Sequence, residues 1–436
     1  MKSFHLSEKR PSPEFTLRSL SQILTVAPSV RMLRCPADFC RYHNVLIQGR
    51  TQSRIPVNAS GFSLHRSISI LKALGEFIER YAVLSPPEPH LIKRGPSSAV
   101  SFPILDFQSM PLFTKDQLRQ EKFRWRGYSC HEYEWLEVSS LVGGASIHVP
   151  VDLLHLHRAS DISLFGSTGA AAHTSQADAL ISGILEIVER DALSIMWETQ
   201  SLTPLISCTA NFLTSSTLRT IALLERANQK VILRDITTDI GIPVVVAVIL
   251  DQFGRAPCLV IGAGSALSHS EACLKALDEA AAVWIWMRDE HSKQKNSFEK
   301  VMHLACSGAE PMWQAVLYGF KEMLPAAKIL TERAPTTKNI VVEKKINLSS
   351  AEYLDAITGY FSKSKIPLYY QSIMPSEFDG IGWYAIRAIA PSLVPLSFGN
   401  VCRPLGNPRL KRVPDICNWQ RANDMANLPH YPVPLP

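Results

Sequence analysis

Two stretches of the chain share one acidic signature, Glu-x-x-Glu-Arg-x-Ala: LGEFIERYA over residues 74–82 and ILEIVERDA over residues 184–192. Residues three apart lie on one face of a helix, so Glu76 with Glu79, and Glu186 with Glu189, form two carboxylate pairs. An arginine follows each pair directly, Arg80 in one and Arg190 in the other. Asp178 precedes Glu189 by close to a whole number of turns and joins the second pair's face. The flanks are apolar: Leu74, Phe77 and Ile78 in the first stretch, Ile184, Leu185, Ile187 and Val188 in the second. A helix apolar on so much of its circumference is largely buried, and a buried ionised acid needs a cation or a hydrogen-bond donor. Such acids suit a hard divalent cation, and Mg2+ favours carboxylates that it shares with substrate phosphates. The residues alone leave two readings open, a metal–phosphate site or two salt-bridged helix faces.

Other nucleotide motifs are missing from the sequence. It has no Gly-x-x-x-x-Gly-Lys-Ser/Thr loop and no kinase-type glycine loop with a His-Arg-Asp. IGAGSA, residues 261–266, lacks the third glycine of a dinucleotide fingerprint and reads as a tight strand-to-helix turn. No Gly-x-Ser-x-Gly elbow supports a serine hydrolase.

The elements that must position the acids are legible from periodicity. Residues 66–84, 174–198 and 268–290 carry helical spacing, the second opening on Thr174 or Ser175 as N-cap with Asp178 in the first turn. VLIQG, ASIHVPV, KVILRDI, IPVVVAVIL and PCLVIGAG read as strands. Strands mixed with long helices indicate an α+β or α/β architecture, and the shared acidic signature suggests two related halves. From Arg403 onward the chain is rich in Pro and Asn and is expected to be non-helical.

Composition is that of an ordinary globular protein: 436 residues, 46% hydrophobic and 19% charged. The net charge of +6 is spread thinly, and its densest run, Arg409–Arg412, reads as solvated surface. Nine cysteines without a Cys-x-x-Cys pair argue against a disulfide framework. Cys35, Cys40 and His43 lie close together, but no second ligand pair follows at zinc-finger spacing, so a structural role is expected. The first residues lack a secretory h-region and the longest apolar run, 242–250, is too short for a bilayer. A cytoplasmic protein without membrane or nucleic-acid partners is the expectation.

Together these motifs resemble the YcaO family of ATP-dependent amide-activating enzymes. Ala73, Leu74, Gly75, Glu76, Glu79 and Arg80 match the Ala-Leu-Gly-Glu-x-x-Glu-Arg of its first helix. Asp178, Ala179, Glu186, Glu189 and Arg190 match its second, after the turn STGAAAHT. DITTDIGIPVV (235–245), GAGSALSHSEACLKALDEA (262–280) and RAIAPSLVPLSFG (387–399) agree further, so that the resemblance runs from about Gly49 to Pro436. The chain departs from the family pattern at Lys72, Thr168, His173, Thr174 and Ala282.

The resemblance implies an α+β YcaO-type fold, two pseudo-symmetric helix-and-sheet halves around a central nucleotide site. It implies an arm over residues 1–48, an ATP-binding catalytic domain over 49–424 and a proline-rich tail over 425–436. ATP and Mg2+ are the implied cofactors, with Glu76, Glu79, Glu186 and Glu189 as metal ligands. Arg80, Asp178, Arg190 and Glu279 become nucleotide-binding residues. The Pro-x-Pro-x-Pro end resembles that of azoline-forming members and makes Pro436, through its carboxylate, the catalytic candidate. The implied activity is a cyclodehydratase that turns Cys, Ser or Thr of a ribosomal precursor peptide into azoline rings. Thioamide or amidine formation, or a non-catalytic ATP-binding scaffold, are the alternatives. Expected partners are the precursor peptide, an E1-like leader-binding protein and an FMN-dependent azoline dehydrogenase, with a homodimer within that complex as a further arrangement.

Overall fold

The computed structural model describes residues 12–27, 29–33, 42–63, 65–105, 112–119, 132–158, 166–207, 215–293, 296–308, 310–333, 337–338, 348–400, 403–421 and 431–435. Two units emerge. The first comprises Met1–Met110, Trp125–Ile187 and Asn347–Ser392, the second Pro111–Arg124, Val188–Ile346 and Leu393–Pro436.

In the first unit Ser29–Leu33, His43–Arg50 and Pro56–Ser63 form an antiparallel sheet in that order. Alternate residues Val45, Ile47, Val57 and Ala59 point into the core, as a strand's twofold side-chain period requires. The Arg66–Leu84 helix lies on that face and buries Leu74, Phe77, Ile78 and Tyr81 completely. Each such side chain contributes roughly 1.5–3 kcal/mol by leaving water. The helix stops at Ser85, which turns extended and donates its hydroxyl to the Tyr81 carbonyl at 2.8 Å. The expected boundary after residue 48 falls inside the His43–Arg50 strand. A second sheet runs Lys93–Pro96, Glu132–Ser140, Tyr369–Ser372, Tyr384–Ile389, Ala170–His173, and Ile147–Pro150 pairs with Glu132–Ser140.

The second unit is built on the strand order Leu259–Ser265, Val244–Asp251, Gln229–Asp235, Leu205–Ile206, Thr337–Lys338. Val244 to Ile249 are fully buried, as the apolar run predicts, and the strand begins after Pro243, which has no N–H to give a ladder. The His269–Lys293 helix packs on the Leu259–Ser265 strand.

IGAGSA is not a turn: Gly262 and Gly264 are strand residues. A Cβ on Gly264 would lie 2.5 Å from the Ala276 backbone nitrogen, so glycine is what lets this helix approach its strand. In the first unit a Cβ on Gly61 would lie 2.5 Å from Ala73 N, the same device under the Arg66–Leu84 helix. The expectation of a non-helical end is also corrected. Arg409–Ile416 is a short helix with Pro414 inside it. Long-range ion pairs from Arg409 hold it, and Arg409 is 3% exposed rather than solvated. Cys35 and Cys40 lie outside the described residues. No helix among those described is long and apolar enough to cross a membrane.

His155, in the first unit, is 4% exposed, with Nδ1 2.8 Å from the Ser85 carbonyl. Burial pushes its imidazole down to about 4 from an ordinary 6.5. The unfolded chain therefore binds this proton more readily. The stability it represents is complete above the ordinary value and is lost as pH falls toward 4. A difference of that size is worth roughly 3 kcal/mol. Chemical unfolding between pH 7 and 4 should show the decline, and His155→Gln should flatten it; an unchanged slope in the variant would assign the effect elsewhere.

Candidate active site

The first acidic pair sits on the Arg66–Leu84 helix, over the strand that precedes it. Glu76 accepts the Ser60 backbone N–H at 2.8 Å and pairs with Arg80 at 2.6 Å. Arg80 also donates to the Asn58 carbonyl at 2.5 Å, so this arginine clamps helix to strand. Glu79, one turn on, is 6% exposed. Lys72, on the same face, donates to the Phe62 carbonyl at 3.1 Å.

The second helix, Gln176–Glu198, begins as expected from a side-chain cap, and Ser175 rather than Thr174 supplies it. The Ser175 hydroxyl accepts the Asp178 N–H at 3.1 Å and donates to the Asp178 carboxylate at 2.6 Å. Ser350 donates to the other Asp178 oxygen at 2.7 Å, and His173 Nδ1 stands 3.6 Å from the oxygen that Ser175 meets. Asp178 is thus 3% exposed and spoken for by protein groups. Glu186 accepts the Gly169 N–H at 3.0 Å across the turn that precedes the helix. Gly169 has a φ of +85°, and a Cβ on Gly183 would lie 2.6 Å from its carbonyl oxygen. Two glycines therefore let this turn press against the helix and aim its N–H at the acid.

Glu79 and Glu186, both in the first unit, lie near enough to Arg387 of the Tyr384–Ile389 strand to pull on its charge. The guanidinium is fully buried, and burial pulls it down to about 10 against the opposing pull of the two carboxylates, Glu186 first. Nη2 donates to the Gly166 carbonyl at 2.5 Å. Nε and Nη1 have no hydrogen-bond partner among the described residues.

The remaining expected residues belong to the second unit. Glu189 lies 3.8 Å from Arg190 Nε. Glu279 accepts the Ala263 N–H at 2.7 Å, and Lys275 donates to the Ser265 carbonyl at 3.1 Å. These bonds span 16 and 10 residues, the same spans as Glu76 to Ser60 and Lys72 to Phe62. The strand–helix module of one unit is therefore repeated in the other, with Lys72 and Glu76 matched by Lys275 and Glu279. The sequence echo related the Arg66–Leu84 helix to Gln176–Glu198; this geometric match relates it to His269–Lys293.

Pro436 lies outside the described residues. The segment before it is anchored in the second unit: Trp197 donates to the Tyr431 carbonyl at 2.9 Å and Tyr318 to the Pro432 carbonyl at 2.8 Å. Val433 and Leu435 are each 1% exposed. Among the described residues no three His, Cys, Asp or Glu side chains gather into a ready metal cage.

Arg387 opens the RAIAPSLVPLSFG motif, and its neighbours in the chain assign it no role. The available signal was a lone arginine within the apolar strand YAIRAI, since a charge there is almost never buried without a purpose.

Comparison with known proteins adds three findings. The family model described as YcaO cyclodehydratase, ATP- and Mg2+-binding, matches residues 60–394. An uncharacterized protein of Methanothermobacter thermautotrophicus is 28% identical over 233 residues, 51% of this chain and 56% of that protein. Among solved structures, a heterocyclase in complex with substrate and cofactor superposes with a TM-score of 0.74 at 17% identity, over 99% of this chain and 59% of that one. YcaO from Methanopyrus kandleri bound with AMPPCP and Mg2+ gives 0.61 at 18% identity, over 87% and 90%. The E. coli microcin synthetase McbBCD complex gives 0.53 at 15% identity, over 84% and 88%. At such identities these structures speak to the fold. The chain spans little more than half the length of the first two relatives it matches, the Methanothermobacter protein and the heterocyclase.

Proposed function

The chain belongs to the YcaO cyclodehydratase family, whose members bind ATP and Mg2+, and on that premise we propose that it converts Cys, Ser or Thr of a ribosomally made precursor peptide into thiazoline or oxazoline rings. The observation that supports this reading is a fully buried Arg387 whose Nε and Nη1 have no partner among the described residues, within reach of the charges of Glu186 and Glu79.

The donor set fits the cofactors. Carboxylate oxygens are hard ligands, and Mg2+ uses one or two of them beside phosphate oxygens and water, so a protein cage of three acids is not required. In the first unit Glu79 and Glu186 would hold it, with Glu76 as a further carboxylate and Arg80 and Asp178 as nucleotide contacts; for Glu189 as a metal ligand and Arg190 and Glu279 as nucleotide-binding residues the support is the family resemblance. When bound, Mg2+ offsets the negative charge that phosphoryl transfer concentrates on the phosphates. The N–H groups of Ser60, Gly169 and Ala263 fix the orientation of Glu76, Glu186 and Glu279 before any ligand arrives. Asp178, bonded to Ser175 and Ser350, also holds the start of the second helix in place.

In the proposed reaction the substrate thiol or hydroxyl attacks the preceding amide carbonyl. That attack closes the ring; the oxygen so formed takes a phosphoryl group from ATP, releasing ADP, and departs as phosphate while the amide nitrogen loses its proton and the C=N bond forms. An E1-like partner in the cytoplasm would present the leader of the precursor, raising its effective concentration, and an FMN-dependent dehydrogenase would act on the product.

The test is to incubate the chain with ATP, Mg2+, a Cys/Ser-rich precursor and the leader-binding partner. Each ring should cost the peptide one water in mass and release one phosphate, and chelation of Mg2+ should stop both. Phosphate release with no loss of water, or a mass gain from oxygen-to-sulfur exchange, would overturn azoline formation.

A further inference from the structure

Arg387 sits in an electrostatic arrangement that the protein by itself does not complete. Its guanidinium is fully buried, its Nη2 is held by the Gly166 carbonyl, and Nε and Nη1 meet no acceptor among the described residues. Two orphaned donors on a buried cation are costly, because each forfeits its hydrogen bond to water. Glu79 and Glu186 are near enough to act on its charge, yet neither takes these protons, and Glu186 already accepts the Gly169 N–H.

A bare cation at this place would satisfy the carboxylates and be repelled by Arg387. A bare anion would satisfy Arg387 and be repelled by the carboxylates. A ligand that carries a metal ion and anionic oxygens on neighbouring atoms satisfies both, and a metal-bound phosphate is such a ligand. Resting on the reading of this site as a nucleotide site, we propose that Arg387 is a phosphate-binding residue that gives the N–H groups of Nε and Nη1 to phosphate oxygens of the bound nucleotide. Gly166 then has a defined part. Its carbonyl fixes the guanidinium at Nη2, so that the glycine turn which orients Glu186 through Gly169 orients Arg387 as well.

The experiment compares the wild-type chain with Arg387→Gln and Arg387→Lys. Melting curves establish that each variant is folded, and calorimetry measures the dissociation constants of Mg2+–AMPPCP and of adenosine. Arg387→Lys keeps the charge in a buried place and secures a folded variant should Arg387→Gln unfold. The wild type should bind Mg2+–AMPPCP. The lysine variant should bind it about tenfold more weakly, and the glutamine variant about a hundredfold, the span expected for losing charge-assisted hydrogen bonds. Adenosine affinity should stay within about twofold in both, because a phosphate contact does not touch the nucleoside. An equal loss for adenosine and Mg2+–AMPPCP would show that Arg387 only supports the sheet and would overturn the proposal, as would unchanged Mg2+–AMPPCP affinity in both variants. Absence of Mg2+–AMPPCP binding by the folded wild type would instead remove the nucleotide-site reading itself, and this assignment with it.

Discussion

Replacing Glu186 by Gln is expected to cut Mg2+-dependent ATP turnover at least about a hundredfold while the chain still folds. The substitution is nearly isosteric, and the amide oxygen can still accept the Gly169 N–H that Glu186 accepts at 3.0 Å. The turn over the Gln176–Glu198 helix should therefore keep its place, because the close approach of Gly169 and Gly183 that permits it is untouched. What disappears is a formal charge where a metal ligand is needed, and loss of one preorganised electrostatic group typically costs a hundred- to a thousandfold in rate. Stability should fall modestly, by about 1–2 kcal/mol, since Arg387 loses one of two counter-charges but no hydrogen bond. Phosphate release at saturating Mg2+, measured beside a thermal melt, separates the two effects. Turnover equal to the wild type would remove Glu186 from the site.

Arg409→Ala should be the most destabilising single change in the second unit, about 3–5 kcal/mol, or a melting temperature lower by roughly 10 °C. Asp191 is fully buried. One of its oxygens accepts the Val394 N–H at 2.8 Å and Arg409 Nε at 2.9 Å, the other Arg409 Nη2 at 2.7 Å. Asp239 takes a further bond from the same Nη2 at 2.7 Å. Burial pushes the Asp191 carboxyl upward, and Arg409 with the Val394 N–H is what pulls it back. Burial acts against Arg409 as well, yet Asp191 and Asp239 hold its guanidinium above the usual arginine range. Removing the cation alone leaves a buried carboxylate beside a second acid. The double variant Asp191→Leu with Arg409→Met removes both charges and should recover most of the loss, because apolar groups of similar volume often replace a buried ion pair at little cost. Denaturant unfolding of single and double variants checks this. Additive losses would mean that the pair is not coupled.

The residues that share a face, a cap or a strand were readable from the chain itself, because these are relations among neighbours. The Arg66–Leu84 helix begins and ends where its apolar period does, Ser175 caps the second acidic helix, and the buried strand lies within two residues of the run that announced it. The acidic pairs were legible for the same reason, since helical spacing alone puts Glu76 beside Glu79. Relations across long separations were not. IGAGSA read locally as a turn, but its pairing with the Val244–Asp251 strand makes it strand, and Gly262 and Gly264 let the His269–Lys293 helix close on it. The run Arg409–Arg412 read as solvated surface, and its proline as a bar to helix, because nothing nearby shows that Asp191, 218 residues away, waits for Arg409. Arg387 was invisible as a functional group until its sheet brought it within reach of the charges of Glu186 and Glu79. Local periodicity determines which face of an element is apolar. The partner a buried charge meets on that face is decided by how distant elements pack, and packing at that range leaves no mark in a window of contiguous residues.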